Sequence, residues 1–294
     1  MLFDHERDHP SRWAAVALSH RSDEGTTMTN LYFLFVATLI VPGATLAQAP
    51  AVGPPALCTD RPSKATSACT VPKGMVQFET DLVNWTKSDV DGVRSDTILY
   101  TNPLLKYGLT TSTDIEASIT PYQTIRTRTS SGVSSIHGIG DLFLRVKQRL
   151  TASDAKAQFA VEPFIKIPTA KLGIGNRKVE GGLVGTGVFS LPRGFSVTIT
   201  PEIDDLENAN LDGHHAQLVG AVNVGKALSS KLAASAELWT AQNYDPGGHV
   251  RQYSADLSLA YLATPILQLD AGTNIGLNRS TPGLQAYAGV STRF

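Results

Sequence analysis

The sequence predicts an all-β fold, a transmembrane antiparallel up-and-down β-barrel of about twelve strands. Three observations predict it. From Val76 onward apolar and polar residues alternate, the period-two signature of strands with two unlike faces. Most alternating stretches match the roughly nine to eleven residues that a tilted strand needs to cross a bilayer, where strands of soluble domains average about five or six. The connections alternate between short and long, the asymmetry of barrels with short periplasmic turns and longer outer loops.

The strands are expected near 75–84, 95–107, 113–123, 139–150, 156–167, 179–191, 195–204, 214–228, 231–242, 251–262, 266–277 and 284–294. Alternation is clearest where Ile115, Ala117 and Ile119 interleave with Asp114, Glu116 and Ser118, and where Phe195, Val197 and Ile199 interleave with serine and threonine. Residues 151–155, 192–194, 229–230 and 263–265 read as short turns; 124–138, 168–178, 205–213 and 243–250 read as outer loops. An even strand number with a terminal Phe294 fits a closed sheet without open edges. Tyr107, Tyr122, Trp239, Tyr244, Tyr261 and Phe294 fall near strand ends, where aromatic rings sit at headgroup level.

The N-terminus reads as an export signal. Residues 1–27 are polar and unlike the rest, and translation is expected to start at Met28. An apolar run over 31–41 and small residues at Thr45 and Ala47 follow, so 28–47 reads as a signal peptide cleaved after Ala47. Residues 48–74 are then a periplasmic segment and 75–294 the barrel. Cys58 and Cys69 are the chain's two cysteines. In an oxidising compartment they are a candidate disulfide, with free thiols as the alternative. A net charge of −1 with no basic tract gives no footprint for nucleic acid.

Several stretches resemble a known family. Thr59-Asp60-Arg61-Pro62, then Thr70-Val71-Pro72-Lys73-Gly74 leading into Gln77-Phe78-Glu79, are similar to the opening of the outer-membrane β-barrel proteins of the phenol-degradation meta-pathway, described as transporters. Leu104 to Thr110 and Gly138-Ile139-Gly140-Asp141-Leu142 resemble two further landmarks of that family. The resemblance implies passage of small, often hydrophobic or aromatic compounds and brings no catalytic residues. The cysteine at Cys69, before Thr70, departs from the family pattern. Tyr287, Val290 and Phe294 resemble the terminal-strand signal read by barrel-assembly machinery.

Strand phase turns Glu79, Asp81, Asp114, Glu116, Asp141, Arg145, Lys147, Arg149, Glu162, Lys166, Glu202, Asp204, Glu237, Asp256 and Asp270 inward. An ionic group facing lipid costs up to about 2–4 kcal/mol at the midplane, so these groups are assigned to a lumen. They either select solutes or pair across a narrow interior and fill it. By the same phase, Leu144→Arg is expected to block insertion and Lys147→Ala to fold normally.

His214 and His215, beside Asp204, Asp205, Glu207 and Asp212, form a polar outer loop for which simple solvent exposure is the preferred reading over a metal site. His137, His214, His215 and His249 are the candidates for a lipid hydrolase, and none lies beside a serine in a recognisable nucleophile arrangement. No cofactor is indicated. The sequence thus points to a channel in the outer membrane of a Gram-negative cell, with membrane lipid, assembly machinery and a small solute as partners. The competing readings are a structural or surface-binding barrel without transport and, third, the hydrolase.

Overall fold

A computed structural model describes residues 56–294, apart from 91 and 211. The expected leader, signal peptide and cleavage site lie outside the described residues.

Alternation becomes strand wherever the sequence sustains it: β1 (Val76–Val90), β2 (Val93–Thr101), β3 (Leu104–Gly108), β4 (Thr113–Ile119), β5 (Tyr122–Thr129), β6 (Gly132–Gly138), β7 (Leu142–Arg149), β8 (Ala157–Ile167), β9 (Glu180–Leu191), β10 (Phe195–Glu207), β11 (His214–Ala227), β12 (Leu232–Asn243), β13 (Val250–Thr264), β14 (Leu267–Gly276) and β15 (Leu284–Arg293). Every pairing is antiparallel, and β15 pairs with β1 from Gln77↔Arg293 to Lys87↔Leu284, which closes the sheet.

The fifteen segments make a twelve-strand wall because three wall strands are broken at one level. β1 pairs with β3 at its start and with β2 at its end, so β2 and β3 are two halves of one strand. β5 with β4, and β6 with β7, continue the pattern. Proline explains two breaks, at Pro103 and Pro121, because it cannot donate to the ladder. The third falls at Gly140-Asp141, where the Gly140 N–H donates to the Thr120 carbonyl at 2.8 Å.

Residues 124–138, expected as an outer loop, are instead most of the hairpin β5–β6. Thr124, Arg126 and Arg128 alternate there with Ile125, Thr127 and Thr129, and a stretch polar on both faces carries no hydrophobic period to read. On the outward edge of the broken side, β6 pairs with no further strand among the described residues. The segment 168–179 lies against it instead. A Cβ at Gly138 would sit 3.0 Å from Ile174 Cδ1, and one at Gly173 would sit 3.0 Å from Ile136 Cδ1.

The burial pattern is inside-out relative to a soluble sheet. Along β13, Tyr253, Leu257, Leu259 and Tyr261 are exposed while Gln252, Ser254, Asp256 and Ser258 are buried. Buried ionic groups outnumber large buried apolar ones, and exposed leucine, isoleucine and valine ring the wall. A water-soluble monomer rarely exposes apolar patches beyond a few hundred Å², so the wall is built to face lipid. No helix among the described residues is long and apolar enough to cross a membrane.

Candidate functional site

The lumen is filled by the chain's own N-terminal segment. Residues 58–71, part of the segment read as periplasmic, are largely buried within the barrel. Cys58 and Cys69 are joined by a disulfide with Cα atoms 5.7 Å apart, which ties the base of a loop that reaches across the interior. The loop has little regular structure, so its backbone N–H groups need partners, each costing about 1–3 kcal/mol if buried unpaired.

Wall side chains supply those partners. Glu79 accepts from the N–H groups of Asp60 (3.1 Å) and Arg61 (3.3 Å), and Glu237 from those of Lys64 (3.0 Å) and Ala65 (2.9 Å). Asp114 accepts from Val71 N at 2.8 Å, and Gln77 from Cys58 N at 3.1 Å. The Gly74 N–H donates to the Gly108 carbonyl at 2.8 Å where the segment turns into β1.

The loop also brings charge. The Arg61 guanidinium forks between Asp81 (2.5 Å) and Asp270 (2.6 Å), planar donors matched to two carboxylates. It lies so close over Gly289 that a Cβ there would stand 2.1 Å from Arg61 Nη2, which is why the wall carries glycine at that point. Lys64 reaches Asp256 at 3.0 Å and lies over the Trp239 ring at 4.3 Å. Tyr287 donates its hydroxyl proton to the Pro62 carbonyl at 2.6 Å.

A second cluster binds the loop to the broken side of the wall. Asp60 pairs with both Lys106 and Lys147. Lys106 continues to Glu79 at 2.9 Å, and Lys147 continues to Glu116 at 3.3 Å and Glu162 at 3.1 Å. Arg145 meets Glu162 at 3.5 Å, and Lys166 meets Glu180 at 2.7 Å and Asp141 at 3.5 Å. Asp60, Glu116 and Glu162 lie close enough to hold a metal ion, but lysine ammonium groups already occupy their midst, so the donor set suits no added cation. The cavity between Asp60, Asn102, Thr120, Phe143 and Arg145 has about 20 Å³ of free volume, room for little more than one water.

The residues phased inward therefore fall as follows. Glu79, Asp81, Asp114, Glu116, Asp141, Arg145, Lys147, Glu162, Lys166, Glu202, Asp204, Glu237, Asp256 and Asp270 are buried in the interior. Arg149 is half-buried and sits apart, donating to the carbonyls of Thr111 and Thr151 at 2.6 Å in the turns. Of the three cations phased inward on β7, Arg145 and Lys147 thus lie inside and Arg149 stands at the rim. Trp239, expected in a lipid-facing belt, is buried on the lumen side against Lys64. Tyr107, Tyr122, Tyr244 and Tyr261 are exposed.

His214 pairs with Asp205 and Glu207, and the rings of His137 and His249 lie against tyrosines. His215 bonds Asn208 and Asn243, which ties the outer loop to the β12 end. Asp60, Arg61 and Lys106 stood in the sequence only as family landmarks with no charge role, and Lys64 was not singled out. Acids far outnumber bases among the residues phased inward, and that imbalance was the available signal that cations must come from elsewhere. Lys147 touches three carboxylates, Asp60, Glu116 and Glu162, which it shares with Lys106 and Arg145.

A closed, lipid-facing barrel with a plugged polar lumen is the architecture of an outer-membrane channel-like protein. The model of the family described as "Putative MetA-pathway of phenol degradation" matches residues 59–294, and the chain belongs to that family. Among solved structures it is similar to an outer membrane channel from Pseudomonas putida F1, at 14% identity and a TM-score of 0.61 over 77% of this chain and 98% of that one. It is also similar to the β domain of the Bordetella autotransporter BrkA, at 12% identity and a TM-score of 0.52 over 76% of this chain and all of that one. At such identities the likeness is one of fold. No curated protein matches the sequence.

Proposed function

We propose that this protein resides in the outer membrane and passes small apolar or aromatic molecules, while its N-terminal segment bars the free flow of water-soluble ones. The observation that carries the reading is the plug. It is bonded to wall strands around the barrel, and the cavity beside it between Asp60 and Arg145 has only about 20 Å³, too small for a hydrated solute. An apolar solute has another exit, since the broken side offers a seam where β6 meets segment 168–179 through side chains alone. The phenol-degradation description of the family supports the same solute class.

Proteoliposome swelling against small sugars and uptake of a labelled aromatic hydrocarbon by whole cells test this together. Slow swelling with barrel-dependent uptake is the expected result. Rapid sugar swelling would make the protein a general porin. The absence of both would leave a structural barrel, the reading that the tight ion-pair lattice favours.

A further inference from the structure

The wall opposite the seam carries a feature that transport does not use. Pro201 on β10 stands opposite Gly220 on β11, Gly220 opposite Thr240 on β12, and Thr240 opposite Tyr253 on β13. Three neighbouring strands thus present small side chains in one row. Ile199, Val222 and Leu238 form the row beside it, larger and exposed to lipid. The result is an apolar recess of about 420 Å³ on the outer surface, within the roughly 300–1,000 Å³ of ordinary ligand sites.

Above the recess the charge changes. Arg251 shares the outward face of β13 with Tyr253, two residues and about 7 Å nearer the outer rim. Leu277, which also lines the recess, leads two residues on to Arg279 in the β14–β15 connection. The Asn278 side chain donates to the Arg251 carbonyl at 2.7 Å, which joins the two arginines' backbones at the rim. Both arginines are exposed, and no acid pairs with either among the described contacts. Of the exposed acids on that rim, Asp205 is engaged by His214 and Asp212 lies in the β10–β11 connection. Guanidinium groups over a hydrocarbon-lined trough complement a phosphate head carrying acyl chains.

We propose that the outer face of β10–β13 with the β14–β15 connection binds a phosphorylated, multiply acylated glycolipid of the outer leaflet. Arg251 and Arg279 hold phosphate, and one acyl chain lies in the trough at Gly220. The proposal rests on the outer-membrane placement given above and is independent of what the lumen carries.

Native mass spectrometry of the refolded barrel, titrated with bis-phosphorylated hexa-acyl lipid A, tests it. A one-to-one adduct is expected, with half-saturation raised about tenfold or more by Arg251→Ala with Arg279→Ala. Gly220→Phe should weaken it similarly by filling the trough, and dephosphorylated lipid A should bind about tenfold less well. The arginine variants lie on the exposed rim, and a heat-dependent gel shift verifies that each variant is folded. Unchanged half-saturation in the arginine variant, or displacement by equimolar phosphatidylethanolamine, would overturn the site and leave ordinary annular lipid. Uptake of the aromatic probe should be unaffected by the arginine changes, so a failed transport reading and a failed lipid site give different results.

Discussion

The two sides of this barrel are held in different ways. From β9 to β15 the strands run unbroken for ten residues or more, so backbone ladders define the wall and Arg61–Asp270 and Lys64–Asp256 only join it to the plug. From β2 to β7 each wall strand is interrupted, and beneath the interruptions lies the buried lattice of Asp60, Lys106, Glu116, Lys147 and Glu162. Plug charges reach both sides, but where the ladder is weakest they form a connected cluster of two lysines and four carboxylates. The difference teaches that the plug is part of how the broken side keeps its shape, so disturbing one should disturb the other.

The most damaging test is Lys147→Ala, which removes one cation from a buried cluster and leaves its carboxylates to share Lys106 and Arg145; it should cost about 3–5 kcal/mol, read as a lower midpoint of denaturant unfolding in detergent. On the continuous side, Leu257→Arg puts charge on a residue 56% exposed to lipid. Near the midplane that costs up to about 2–4 kcal/mol and should appear as loss of the heat-dependent gel shift after refolding into vesicles. Replacing both Cys58 and Cys69 by serine frees the base of the plug loop at about 2–3 kcal/mol, entropy regained by the unfolded chain; protease accessibility of residues 58–69 should rise while the continuous side stays protected. Lys178→Ala removes a pair that is 40% exposed on the lysine side and should change the midpoint by less than about 1 kcal/mol. A Lys147 variant no weaker than the Lys178 variant would break the comparison.

The wall was legible because lipid on one side and charge on the other impose strict alternation, as along Leu142 to Arg149. The breaks at Pro103 and Pro121 were not read, since the expected strands 95–107 and 113–123 run through both prolines and a break that resumes in the same wall leaves the alternation on either side intact. The β5–β6 hairpin was not legible, because it lies beyond the alternation that lipid enforces. The plug's docking was hidden for another reason: Arg61 meets Asp270 across 209 residues, and no local pattern encodes such a pair. The family landmarks acquire physical meaning here. Asp60-Arg61 is the charge of the plug, Lys106 is a node of its lattice, and Gly140-Asp141 anchors segment 168–179 through Thr169 and Ala170 at the break.

The most direct test of the account is single-channel conductance in planar bilayers of the barrel with residues 58–70 removed, compared with the intact chain. The deletion leaves the Val71 contact with Asp114 and the Gly74 contact with Gly108 in place. A large, steady conductance from the deleted barrel beside a small one from the intact chain is the predicted result. Equal conductances from two barrels that both keep the heat-dependent shift would contradict the claim that this segment closes the lumen.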